Sequence, residues 1–148
     1  MEITGSFDLK LPPAKAWEVL NDVNVLQKCI PGCKSLTATG PDSYEAELTV
    51  GIGPVKGLYK GKVQIKDRKA PKSYRMIVEG SGGGGFVKGD GVISLSESGS
   101  GGTSVAVKGE AESGGMIARV GQRLIGGAAN NLLKQFFANL SKEAARAK

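Results

Sequence analysis

The sequence predicts an α+β domain in which a curved antiparallel sheet wraps around one long C-terminal helix, with two short helices after the first strand. Three observations predict it. Apolar residues recur with period two through most of residues 33–113. Clusters of glycine, proline and aspartate interrupt these runs at hairpin spacing. Helical periodicity returns over 115–146, and only that segment is large enough to cover the dry face of a twisted sheet. With 148 residues the chain makes one domain, 1–148, able to bury a core without disulfide or metal staples.

Residues 2–11 alternate, with Ile3, Phe7, Leu9 and Leu11 on one side and Glu2, Thr4, Asp8 and Lys10 on the other, as in a half-buried strand. Pro12-Pro13 ends it, and Pro13 suits the first turn of a short helix with Trp17 and Leu20 on one side. Asn21-Asp22 breaks that helix and can cap a second, whose apolar stripe is Val25, Leu26 and Cys29. Pro31-Gly32 is a turn, and about six strands follow. Tyr44, Ala46, Leu48 and Val50 form the dry side of one; Tyr59, Gly61, Val63 and Ile65 that of the next. Tyr74, Met76 and Val78, then Val105, Val107 and Gly109, continue the pattern. Gly40-Pro41-Asp42, Gly53-Pro54, Ala70-Pro71-Lys72, Gly82 to Gly85 and Gly99 to Gly102 supply the turns. In the final helix, the stripe from Met116 to Ala128 is rotated from the stripe of Leu132 to Leu140 by about a third of a turn. Gly126-Gly127 between them is the expected kink, and the charged residues 142–148 are expected to fray.

Composition narrows the chemistry. Histidine is absent, which removes the usual general base near neutral pH and excludes a Ser-His-Asp triad. The net charge is +6 without a block of consecutive like charges, so lysines that solvate exposed faces are the simplest reading. Lys56, Lys60, Lys62, Lys66, Arg68 and Lys69 nevertheless place positive charge along one strand, a candidate docking face for an anionic membrane or acidic protein. Nucleic acid is not expected, because no exposed aromatic platforms interleave with these lysines. Arg119 and Arg123, one helical turn apart, are a second docking candidate. The opening Met-Glu-Ile-Thr lacks the features of a signal peptide, and no stretch is long enough to span a membrane, so a cytoplasmic location with reduced thiols is expected.

Several inward positions are small: Ala46, Gly61, Gly89, Gly91, Gly109 and Ala111 on the strands, Gly121 and Ala128 on the helix. Because interiors are densely packed, such residues mean that the helix approaches the sheet closely, that the sheet must curve there, or that space is left for a guest. If space is left, candidate ligand-lining residues are Tyr59, Tyr74, Met76, Phe86, Met116, Ile117, Val120 and Leu124, each equally able to serve as core. Tyr59 and Tyr74 are the candidate polar handles, since a buried tyrosine hydroxyl needs a partner.

Other motifs read as structural. Cys29-Ile-Pro-Gly-Cys33 offers two soft ligands where a closed zinc site needs four, so no metal is expected. Gly80-Ser-Gly-Gly-Gly-Gly85 matches a dinucleotide fingerprint only formally, because it separates two strands instead of opening a helix. Asp90 is the one acid to test for a catalytic role, and its strand parity turns it outward.

The Cys29–Cys33 string, Gly53-Pro-Val-Lys-Gly-Leu-Tyr-Lys-Gly-Lys-Val63, Gly89-Asp-Gly91 and Val120-Gly-Gln-Arg-Leu124 together resemble the carbon monoxide dehydrogenase G-subunit family over essentially the whole chain. That resemblance implies the START-like, helix-grip (SRPBCC) fold, with a cavity between sheet and long helix. It also implies an accessory role to a molybdenum hydroxylase, recruitment of that enzyme to the membrane, and in some members a bound quinone. Many members add a C-terminal segment for membrane attachment. This sequence ends at Lys148 soon after the helix, so a built-in anchor is not expected.

The expectation is a non-catalytic carrier or accessory protein, with no catalytic residue and no covalent cofactor, that holds a quinone or lipid and serves such a hydroxylase. It would be cytoplasmic or peripheral at the inner face of the membrane. The alternatives are an adaptor that recruits the dehydrogenase without a ligand, and a small cyclase-like enzyme using Tyr or Asp.

Overall fold

A computed structural model describes residues 1–52, 55–99 and 101–146. The Gly53-Pro54 turn, Ser100 within the Gly99–Gly102 turn, and the last two residues of the tail lie outside the described residues. The order is β1 (Glu2–Leu9), α1 (Pro13–Leu20), α2 (Val23–Cys29), β2 (Cys33–Gly40), β3 (Ser43–Ile52), β4 (Val55–Lys69), β5 (Ser73–Gly82), β6 (Gly85–Glu97), β7 (Thr103–Gly114), α3 (Met116–Arg119) and α4 (Gln122–Arg146).

The seven strands form one antiparallel sheet in the order β1-β7-β6-β5-β4-β3-β2. Consecutive hairpins build it from β2 to β7, and β1 closes back onto β7, with Ile3 opposite Gly109 and Phe7 opposite Val105. The sheet remains open, with β1 and β2 as its edges. The two short helices connect those edges. Pro13 begins α1 as expected, and Asp22 caps α2, its carboxylate accepting from the Asn24 and Val25 amides. Gly32 (φ +75°) completes the turn into β2, where an added Cβ would stand 2.5 Å from the Thr49 carbonyl oxygen.

The C-terminal helix differs from the expectation of one element kinked at Gly126-Gly127. It is two helices, and the break is at Gly121, whose φ of +94° cannot continue a right-handed helix. Helix α4 runs unbroken through Gly126-Gly127 to Arg146. α3 is thus a single turn bounded by two positive-φ glycines, Gly115 and Gly121, and the Ile117 amide donates to the Gly84 carbonyl.

Most of the buried residues fall into two groups, with Leu36, Ala46, Ile65 and Tyr74 buried outside both. At one end Leu9, Leu11, Ala16, Leu20, Val105 and Leu140 pack with their neighbours from both short helices. There Thr103 donates its buried hydroxyl to the Leu11 carbonyl at 2.6 Å, and Asn139 of α4 donates to the Cys29 carbonyl at 3.0 Å. At the other end Tyr59 and Ile117 are buried among Val50, Val87, Val120 and Ile125.

Candidate functional site

The candidate site is the interior between these two ends. Strand register places Val63, Met76, Val78, Gly80, Gly89 and Ala111 on the inner face there. None belongs to either buried group, and each keeps partial exposure. Helix α4 packs closely on α2, β1 and α1, leaning toward one edge of the sheet.

The glycines separate the alternatives left open by the sequence. Gly91 and Gly109 face each other, and a Cβ on Gly109 would stand 2.8 Å from the Asp90 carbonyl oxygen and 2.9 Å from Gly91 Cα. This pair is required by close backbone approach where the sheet bends. A Cβ on Gly61, Gly80 or Gly89 would meet only a neighbouring strand's carbonyl oxygen, at 3.6, 4.0 and 3.9 Å. Among the described residues, no helix atom comes within 4 Å of an added Cβ at these three positions, so close approach of the helix does not account for them.

The eight candidate lining residues divide. Tyr59, Ile117 and Val120 come together at the α3 end. Met76 faces the middle of the interior, paired with Ile65 and Gly91. Tyr74 is buried at the opposite end, edge-on to Trp17 at 5.4 Å, and burial raises its phenol well above the usual tyrosine range. Met116 and Leu124 are nearly half exposed. Phe86 is a correction: it projects from the outer face, where the Lys88 ammonium lies 5.6 Å from its ring centroid. The parity that turns Gly89 inward also turns Val87 inward and Phe86 outward. Val87, Val50 and Ile125, which surround Tyr59, were missed, although that alternation marked Val87.

The sides of α4 are not equivalent. Gly126 near the Met1 sulfur and Phe137 against Phe7 mark the side facing β1. At 100° per residue, Leu124 and Leu132 lie on the side of Asn139, turned away from β1. Both are exposed, so an apolar ridge flanks the interior along that side.

Tyr59 is 5% exposed, and its hydroxyl is the one buried side-chain polar atom among the described residues with no hydrogen-bond partner. Its ring lies across its strand partner Gly82, where a Cβ would stand 2.7 Å from it.

Charge is distributed differently from the expected basic strand. Lys60 and Lys62 alternate across the outer face with Glu47, Glu45 and Glu79 of the neighbouring strands. They line a groove of about 660 Å³ with walls of mixed charge. Asp67 at φ +54° and a register shift break the alternation before Arg68, which pairs with Asp42 at 3.0 Å. Asp90 does face outward and is held by the Arg75 guanidinium, whose hydrogen bonds keep the carboxyl below its ordinary range. The residues from Ser113 onward contain six of the twenty basic residues and one of the fourteen acidic ones, hence +5 of the net +6. The unbalanced charge is on α3–α4 and the following tail.

The cysteines are both free. Cys29 is fully buried, and burial pushes its thiol up to about 11, with Glu143 adding to the rise and Lys28 opposing it. Burial raises Cys33 as well. Neither should react quickly with Ellman's reagent near neutral pH, and Cys33 should react before Cys29. A thiol with a raised pKa holds its proton longer in the folded than in the unfolded chain. Its contribution is therefore complete below pH 9.0 and lost as pH rises through about 11. Thermal melts across that window should fall; Cys29→Ala should flatten the fall, leaving the part due to Cys33 and Tyr74.

An open antiparallel sheet gripping a terminal helix over a glycine-lined apolar interior defines a START-like helix-grip protein. A START superfamily protein from Mycobacterium smegmatis shares this fold with a TM-score of 0.80 over 99% of both chains, at 11% identity. The chain belongs to the carbon monoxide dehydrogenase G-subunit (CoxG) family, whose profile matches residues 5–145. A conserved protein from Geobacillus kaustophilus is 41% identical, with a TM-score of 0.95 over 99% of this chain and 97% of that one. No curated protein matches the chain significantly. Among the described residues, no helix is long and apolar enough to cross a membrane.

Proposed function

We propose that this protein is a non-catalytic carrier that encloses a hydrophobic molecule, a quinone or another lipid, between the sheet and α4. It serves a molybdenum hydroxylase of the carbon monoxide dehydrogenase type. The observation that carries this reading is the inner face between the two buried groups, where Gly80 and Gly89 face no described helix atom within 4 Å of an added Cβ. Apolar, concave and sparsely polar surroundings are the usual character of a small-molecule site. Membership of a family named for a component of a dehydrogenase supports the accessory role.

Native mass spectrometry of the purified protein, followed by solvent extraction, tests the reading. The expected result is a mass excess that extraction releases as a quinone or lipid. A protein that is empty as isolated, and that also fails to take up added menaquinone or Nile red, would overturn it.

The concentration of net charge on the helical segment favours a second reading, in which that side recruits the dehydrogenase to an anionic membrane without a ligand. In that case the empty protein would still recover the dehydrogenase in a pull-down at low salt.

A further inference from the structure

We propose that the Tyr59 hydroxyl is the polar anchor of this interior and selects an uncharged ligand whose hydrogen-bond-accepting oxygen sits at the α3 end. This rests on the carrier reading and narrows the cargo. A buried hydroxyl without a partner costs free energy that a well-packed apolar side chain would avoid. Tyr59 stands in that position, with Val50, Val87, Ile117, Val120 and Ile125 around it. The side chains of those neighbours are aliphatic and offer the hydroxyl neither an acceptor nor a donor. Gly82 accommodates the ring from the adjacent strand.

Charge decides the class of ligand. The inner strand positions from Tyr44 to Ser113 carry aliphatic, aromatic, glycine and hydroxyl side chains, and among the described residues no lysine, arginine or carboxylate. A carboxylate or phosphate at the Tyr59 end would lose its hydration and gain no counter-charge, a penalty that one phenol cannot offset. A carbonyl oxygen costs far less to desolvate and accepts one hydrogen bond. The interior thus favours a neutral carbonyl-bearing molecule over a fatty acid, and places the carbonyl at the α3 end with the apolar remainder toward Met76 and Val78.

The test is displacement of Nile red by 2-undecanone, undecane and undecanoate near neutral pH, with the parent protein and Tyr59→Phe. The parent should bind the ketone about tenfold more tightly than the alkane, as one buried hydrogen bond provides, and the carboxylate weakest of the three. Tyr59→Phe should remove the preference for the ketone, with both ketone and alkane still displacing the dye, a pattern that loss of folding would not produce. A thermal melt confirms that the variant is folded. If the alkane binds but the ketone preference is absent, or survives in Tyr59→Phe, the anchor is overturned and the carrier reading stands; the hydroxyl then serves a bound water. Carboxylate binding as tight as that of the ketone overturns the neutral selection. If no probe displaces the dye and the dye itself does not bind, both readings fall together.

Discussion

Gly89→Ile should give a protein that folds, melts no lower than its parent and no longer binds an apolar ligand. The expected loss of affinity is about a hundredfold, the upper range for forcing extra methylenes into an occupied space. The position is extended, sits in the middle of β6, and offers an added Cβ only the Glu110 carbonyl oxygen at 3.9 Å. A β-branched residue is a better strand former than glycine, so local backbone preference favours the substitution by roughly 0.5–1 kcal/mol. The side chain would project between Val78 and Ala111 into the interior. Gly109→Ala is the matched control two residues along the inner face of the neighbouring strand, and it should lose stability because its Cβ meets backbone. Dye binding and thermal melts of both variants check the pair. A Gly89→Ile protein that binds as well as the parent would show that the ligand space lies elsewhere.

Phe137→Ala should cost about 3–5 kcal/mol of stability, a large part of what holds an ordinary domain together. Phe137 is buried in the end that joins α4 to the sheet. It stacks on Phe7 with ring centroids 4.3 Å apart and meets Phe136 edge-on at 5.1 Å. Because α4 leans toward β1, this stack is a principal clamp between helix and sheet, and its loss should weaken ligand retention as well. Urea unfolding measures the cost. A loss below about 1 kcal/mol would mean that Leu140 and the Asn139–Cys29 hydrogen bond hold the helix without it.

Much of this was legible in the sequence, because alternation and turn chemistry act locally. The seven strands, both short helices, the Asp22 cap and the outward turn of Asp90 follow from residue spacing alone. The break in the terminal helix was misplaced because two glycines in a row look like a stronger interruption than the single Gly121. Yet α4 keeps its helical path through Gly126 and Gly127, and only a positive φ ends the preceding turn. The charge balance around the basic strand is not legible in spacing, because a strand's charge is set by what lies beside it. Glu45, Glu47 and Glu79 become neighbours of Lys60 and Lys62 only once register is known. The inner residues at the Tyr59 end come from β3, β4, β6, α3 and α4, and no single stretch of sequence reveals that meeting. Phe86 is legible in hindsight from parity alone, since it alternates with the inward Val87 and Gly89.

The placement of charge has a consequence for motion in solution. A molecule with five of its six net charges on one terminal segment is an electric dipole, and an anionic surface exerts a torque on it before contact. Such a surface would draw α3 and α4 toward it first, with the exposed Leu124 and Leu132 on that segment. The field that turns it is felt over about 8 Å at physiological ionic strength, so encounters should slow as salt is raised even where the final contacts are apolar.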